Sequence, residues 1–179
     1  MLVAISEGAV ASAIVGVLKQ RASIMTVIRI EINDTAFRAT LQRIHARLSN
    51  PRPLMAGIAN LMLEAVEDNF EQERNPETGA KWPSLSQSTQ DARQKKGSWP
   101  GKILQVSGSL ASSVSQSYGD DFAAVGTNKV YAPIHQFGGK AGRKHAATIP
   151  ARPFLGLSQQ ARQDIIEAVE GYVTQSFNP

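Results

Sequence analysis

The residues Leu54, Ile58, Met62, Val66 and Phe70 recur at every fourth position, flanked by Leu61 and Ala65, and no other pattern commits as much of this chain. Side chains four apart stack on one helix face, so the stripe predicts a long helix whose apolar side must meet a second layer. Asn50, Pro51 and Pro53 mark where it starts. Glu64, Glu67, Asp68, Glu71 and Glu73 fall on its solvent side, so this helix presents an acidic exterior.

Weaker patterns surround it. Val27 to Ile32 alternates Ile28, Ile30 and Ile32 with Arg29 and Glu31, the period of a half-buried strand. Asp34 is a suitable N-cap for a helix running to about Ser49, with Phe37, Leu41, Ile44 and Leu48 along one side. Arg74 to Pro83 reads as a loop that tucks the Trp82 ring back against the core, and Gln87 to Lys96 as a short polar helix. A turn over Tyr118 to Asp120 joins Ser113–Ser117 to Asp121–Gly126 as two short antiparallel strands. Val130 to Phe137, interrupted by Pro133, reads as a brief helical or irregular segment. Ser158 caps a last helix with the stripe Ile165, Ile166, Val169, Tyr172 and Val173. The expected class is α+β, with about three main helices packed on a small antiparallel sheet and a long basic Gly-rich loop.

A length of 179 residues suits one domain with a real core. The chain has no cysteine, which removes disulfides, thiolate zinc sites and cysteine nucleophiles and leaves packing to stabilise the fold. No run approaches the roughly 20 apolar residues that cross a membrane. Residues 1–24 are apolar and rich in small side chains, but Glu7 stands where a signal peptide wants positive charge, and Lys19 and Arg21 follow the apolar run. They read as an N-terminal extension or partner-binding arm ahead of a domain spanning 25–179. Met25 directly precedes the first patterned segment and could itself start translation.

Charge is unevenly spread. Between Asp91 and Asp164 ten basic residues face only Asp120 and Asp121, a net +8 within a chain of formal charge +4. The stretch from Tyr131 to Gly156, YAPIHQFGGKAGRKHAATIPARPFLG, concentrates this asymmetry. Gly138, Gly139 and Gly142 free the backbone, while Lys140, Arg143 and Lys144 place positive charge beside them. Pro150 and Pro153 then enforce an extended exit with few donors, which rules out a central strand. Two readings remain open from the residues alone: a docking loop, or a solvated hairpin connection with ordinary surface lysines.

No catalytic template fits. His45, His135 and His145 lack a second ligand at metal spacing, and His135, set among Tyr131, Ile134 and Phe137, reads as a packed histidine that positions the neighbouring loop. Val106-Ser107-Gly108-Ser109-Leu110 is no nucleophile elbow, and Ile134 occupies the place of the first glycine of a phosphate loop ending at Lys140. The helix carboxylates read as a solvated or partner-facing surface rather than a glycosidase pair. No helix-turn-helix, zinc finger or aromatic RNA-binding motif occurs, so any DNA contact through Lys140, Arg143, Lys144 and Arg152 would be nonspecific. The chain reads as a non-enzyme needing no metal or cofactor.

The order Phe70, Pro76, Gly79, Trp82, Leu85, Thr89, then Ile103-Leu104, Gly108, Leu110 and Ser113 continues through Val125-Gly126, Tyr131-Ala132, His135-Gln136, Gly138-Gly139 and Arg152-Pro153-Phe154-Leu155-Gly156. It resembles the virion morphogenesis and tail completion family of tailed bacteriophages, above all its Mu-like members, over roughly Met25 to Val173. The resemblance implies a structural protein of the virion tail or neck, made in the host cytoplasm, that completes the tail or joins it to the DNA-filled head. It implies a homo-oligomeric ring, sixfold to match a tail tube, partnered by other tail and connector proteins, with genomic DNA passing through and no membrane. A ring requires two complementary surfaces per subunit, for which the acidic helix and the basic 129–152 region are candidates. Trp82, Tyr131, Gln136, Phe137, Gly138, Gly139, Pro153 and Phe154, with His135, are expected to anchor the loop or to contribute to the interface.

Overall fold

A computed structural model describes Leu2–Ser6 and Thr35–Phe177. The expected strand at Val27–Ile32 and the expected cap at Asp34 lie outside the described residues. Helix α1 spans Thr35–Leu48 and helix α2 spans Arg52–Gln72. Pro53 lies in the first turn of α2, where a missing N–H costs nothing. The four-spaced stripe is buried as expected, together with Met55, Ala59, Ala65 and Asn69. Glu73 ends the helix in the left-handed conformation, and its carboxylate accepts from Ile103 N.

Three strands form the main sheet in the order β1-β3-β2, all antiparallel: β1 is Leu2–Ser6, β2 is Val114–Tyr118 and β3 is Phe122–Thr127. Val125 of the central strand pairs with Val3 on one side and Gln116 on the other. Gly119 N donates to Phe122 O at 2.9 Å, closing the expected hairpin turn. Helix α2 packs on β2 and β3, so Ala123 and Val125 join its apolar stripe in one core. Between these elements runs the polar helix α3, Gln87–Lys95, with no buried residue.

The last helix, α5, spans Gln159–Phe177 and buries Ala161, Ile165, Val169 and Val173. Ser158 caps it: its Oγ accepts from Ala161 N at 3.1 Å. Helix α5 packs on α2, and α1 packs on α5. The Tyr172 hydroxyl donates to Asn50 O at 2.8 Å, tying α5 to the α1–α2 junction. A small antiparallel sheet covered by α2, with α5 behind it and α1 packed on α5, makes this an α+β fold. Ala132–Phe137 forms a short helix, α4, and the segment expected as a Gly-rich loop is instead a second, two-stranded sheet. There β4, Gly139–Ala141, pairs with β5, Ala147–Ile149, and a single 3-10 turn at Arg143–His145 makes the tip.

Candidate functional site

Prolines at 150 and 153 deprive the chain beyond β5 of donors, yet Arg152, Phe154, Leu155 and Leu157 are buried. Buried backbone groups without partners each cost about 1–3 kcal/mol, so the segment needs bonds from somewhere other than a sheet. Side chains supply them. Gln136 on α4 accepts from Phe154 N and Leu155 N, both at 3.0 Å, and donates to Leu155 O at 2.8 Å. Asn69 on α2 donates to Phe154 O and Gly156 O, each at 3.0 Å. The Trp82 indole donates to Pro153 O at 2.8 Å, and Arg152 N donates to His135 O at 2.7 Å.

This ladder explains the motif residues. Trp82 and Phe154 are core residues on either side of Phe70: the Trp82 ring meets it edge-on at 5.9 Å and the Phe154 ring lies tilted at 5.1 Å. Gly156 faces Pro76, where an added Cβ would come within 2.6 Å of the proline ring. Gly138, at φ 73, leaves α4 beneath the extended segment, and a Cβ there would lie 2.8 Å from Ala151 N and 2.9 Å from Ile149 O. Gly139 pairs with Ile149 and so starts the hairpin.

Arg152 departs from the expectation that grouped it with the loop cations. It is only 5% exposed, and its guanidinium points inward, donating to Pro83 O at 2.8 Å and Ser84 O at 3.0 Å. Those bonds fasten the loop after Trp82 to the extended segment, so Arg152 is an anchor rather than a surface contact. His135 stands beside it, its ring edge-on to Tyr131 at 5.9 Å with Nδ1 buried. Burial, and secondarily the Arg152 charge, hold the His135 pKa below the usual imidazole value.

The anchored parts carry an exposed surface. Lys140, Arg143 and Lys144 all project from the hairpin into solvent and make no ion pair among the described residues. Lys144 and His145 at the tip take consecutive left-handed conformations, φ 57 and 56, which single non-glycine residues seldom adopt and pairs adopt less. In α4 and just before it, Val130 is 95% exposed and Phe137 68%, with Tyr131 at 41%. Adjacent residues of α4 thus serve opposite purposes: Gln136 faces the ladder, and Phe137 faces water.

Asn69 was invisible to motif reading, although an amide inside an otherwise apolar stripe was a usable signal that some backbone needed a donor. No three metal-ligating side chains converge among the described residues, and no described helix is long and apolar enough to cross a membrane.

The architecture is thus a packed α+β platform with three exposed cations, Lys140, Arg143 and Lys144, on one projecting hairpin. The chain belongs to the phage virion morphogenesis family, whose model matches residues 32–174. It is 37% identical over 131 residues to the putative capsid assembly protein G of Escherichia phage Mu, covering 73% of this chain and 84% of that protein. It is 40% identical over 147 residues to the Mu-like prophage FluMu G protein 2 of Haemophilus influenzae, covering 82% and 96% respectively. FluMu G protein 1 of the same bacterium is 34% identical over 122 residues. No solved structure matches the chain significantly.

Proposed function

We infer that this virion assembly protein completes the tail and joins it to the DNA-filled head, acting without catalysis as a ring at the junction. The observation that carries this reading is the exposed basic hairpin, flanked by Phe137 and Val130 and fixed from below by the buried ladder. A rigid base under a strained, charged, aromatic-bearing projection suits docking, because little order remains to be imposed on binding. The Mu relative's name places that protein in capsid assembly, and a junction protein would serve both the capsid and the tail. In this reading residues 25–179 form the assembly domain, and residues 1–24 are an arm whose strand β1 extends the sheet edge.

The test is triple charge reversal, Lys140→Glu/Arg143→Glu/Lys144→Glu. The variant should fold as the parent does, yet leave filled heads and tails unjoined in an induced lysate. Normal virion yield would overturn the proposal. The unpaired hairpin cations also suit a nonspecific DNA-binding module. That alternative expects the isolated chain to retard duplex DNA, with log affinity falling against log salt by about 0.9 per phosphate contacted.

A further inference from the structure

The hairpin has a charge complement elsewhere on the same chain. Between α2 and α5 lies a groove of about 370 Å³ lined by Glu64, Asp68, Gln72, Gln160 and Asp164. Glu64 and Asp68 stand one helical turn apart, a like-charge spacing that disfavours the free helix by a few tenths of a kcal/mol, ~0.2–0.5. Neither has an ion-pair partner among the described residues, whereas Glu71 is matched by Lys102. The floor beneath them is fixed, because Asn69, which also lines the groove, is held by its bonds to Phe154 and Gly156.

We propose that the β4–β5 hairpin of one copy inserts Lys140 and Lys144 into the α2–α5 groove of the next, with Phe137 and Val130 covering the rim. The assignment rests on the head-to-tail assembly proposed above and names its two halves. Uncompensated carboxylates on one face and uncompensated cations on another match in sign, and each face is exposed. Two different faces in contact make a heterologous interface, the kind that closes into a ring when its rotation permits. Charge pairing of this type sets encounter rate and register and weakens with salt. It also gives the strained hairpin tip something to hold: Lys144, in the left-handed conformation, lies exposed at the apex.

Reversal and cross-linking test it on the full chain. Glu64→Lys/Asp68→Lys and Lys140→Glu/Lys144→Glu should each weaken self-association by about tenfold in sedimentation at low salt, and mixing the two variants should restore it. All four positions are exposed, so melting by circular dichroism should not change. The chain has no cysteine, so a tagged Lys144→Cys chain and an untagged Asp68→Cys chain should yield a mixed disulfide on oxidation. Rings that form undiminished in both reversed variants, without the mixed cross-link, would overturn this contact while leaving the ring reading intact. A chain that stays monomeric at every concentration would overturn both. Loss of DNA retardation in the lysine-reversed variant, with assembly unaffected, would also overturn the contact and favour the DNA reading.

Discussion

The side-chain amide of Gln136 pairs with the main chain of Leu155 as a neighbouring strand would: Oε1 accepts from Leu155 N at 3.0 Å, and Nε2 donates to Leu155 O at 2.8 Å. The same Oε1 also accepts from Phe154 N. One glutamine thereby does the work of a strand where prolines and a helix leave no room for a real one.

Replacing Gln136 with Met keeps the volume and removes all three bonds. Two N–H groups and one carbonyl would then be buried without partners, and the expected loss is about 3 kcal/mol of unfolding free energy. Urea unfolding should show a lower midpoint with an unchanged slope, since the surface exposed on unfolding is the same. An unchanged midpoint would mean that water replaces the amide.

The helices and the first hairpin were legible because each satisfies its own backbone. The stripe from Leu54 to Phe70 gave α2, and Ser158 marked the start of α5. The extended exit was legible in part: Pro150 and Pro153 ruled out a central strand, as the structure bears out. Its partners were not legible, since Asn69, Trp82 and Gln136 lie far from it in sequence and no periodicity links them. Arg152 shows the same limit. In sequence it adds to the positive charge of the loop, and only the fold turns it towards Pro83 and Ser84. A hairpin connection stayed one of two open readings of the Gly-rich stretch, because glycines weaken strand propensity, and the need for Gly138 under Ala151 shows only in the fold.

Trp82 separates packing from hydrogen bonding. Trp82→Phe keeps an aromatic contact with Phe70 but orphans Pro153 O, for an expected cost of about 1–3 kcal/mol. Trp82→Ala opens a cavity as well and should cost about 3–5 kcal/mol. Limited proteolysis should cut the alanine variant near residues 83–86, where the loop loses its anchor. Equal resistance in both variants would place the ring outside the core.

His135 predicts a pH dependence. Its pKa in the folded chain is lowered, by burial first and by Arg152 second, below the value of about 6.5 expected when unfolded. The neutral form is the one the fold favours. Stability is therefore complete above the unfolded pKa and declines as pH falls from there towards the folded pKa, because the unfolded chain binds the proton more readily. The urea midpoint of the parent should drop between pH 7.5 and pH 5.5 by more than that of His135→Gln. Parallel profiles for the two proteins would show that the ring is protonated without penalty.

Phe137 distinguishes a docking surface from an ordinary one. It is 68% exposed, so Phe137→Ser removes little buried area, and the expected stability change is within about 0.5 kcal/mol. If its ring packs against a partner, truncation should nonetheless cost assembly, since an aromatic ring that loses water in a contact carries a disproportionate share of its energy. Infectious titre from a complemented lysate should fall by about tenfold or more while the urea midpoint holds. A stable variant with full titre would leave the hairpin cations to dock alone, and a destabilised one would mean that the ring supports α4 rather than a partner.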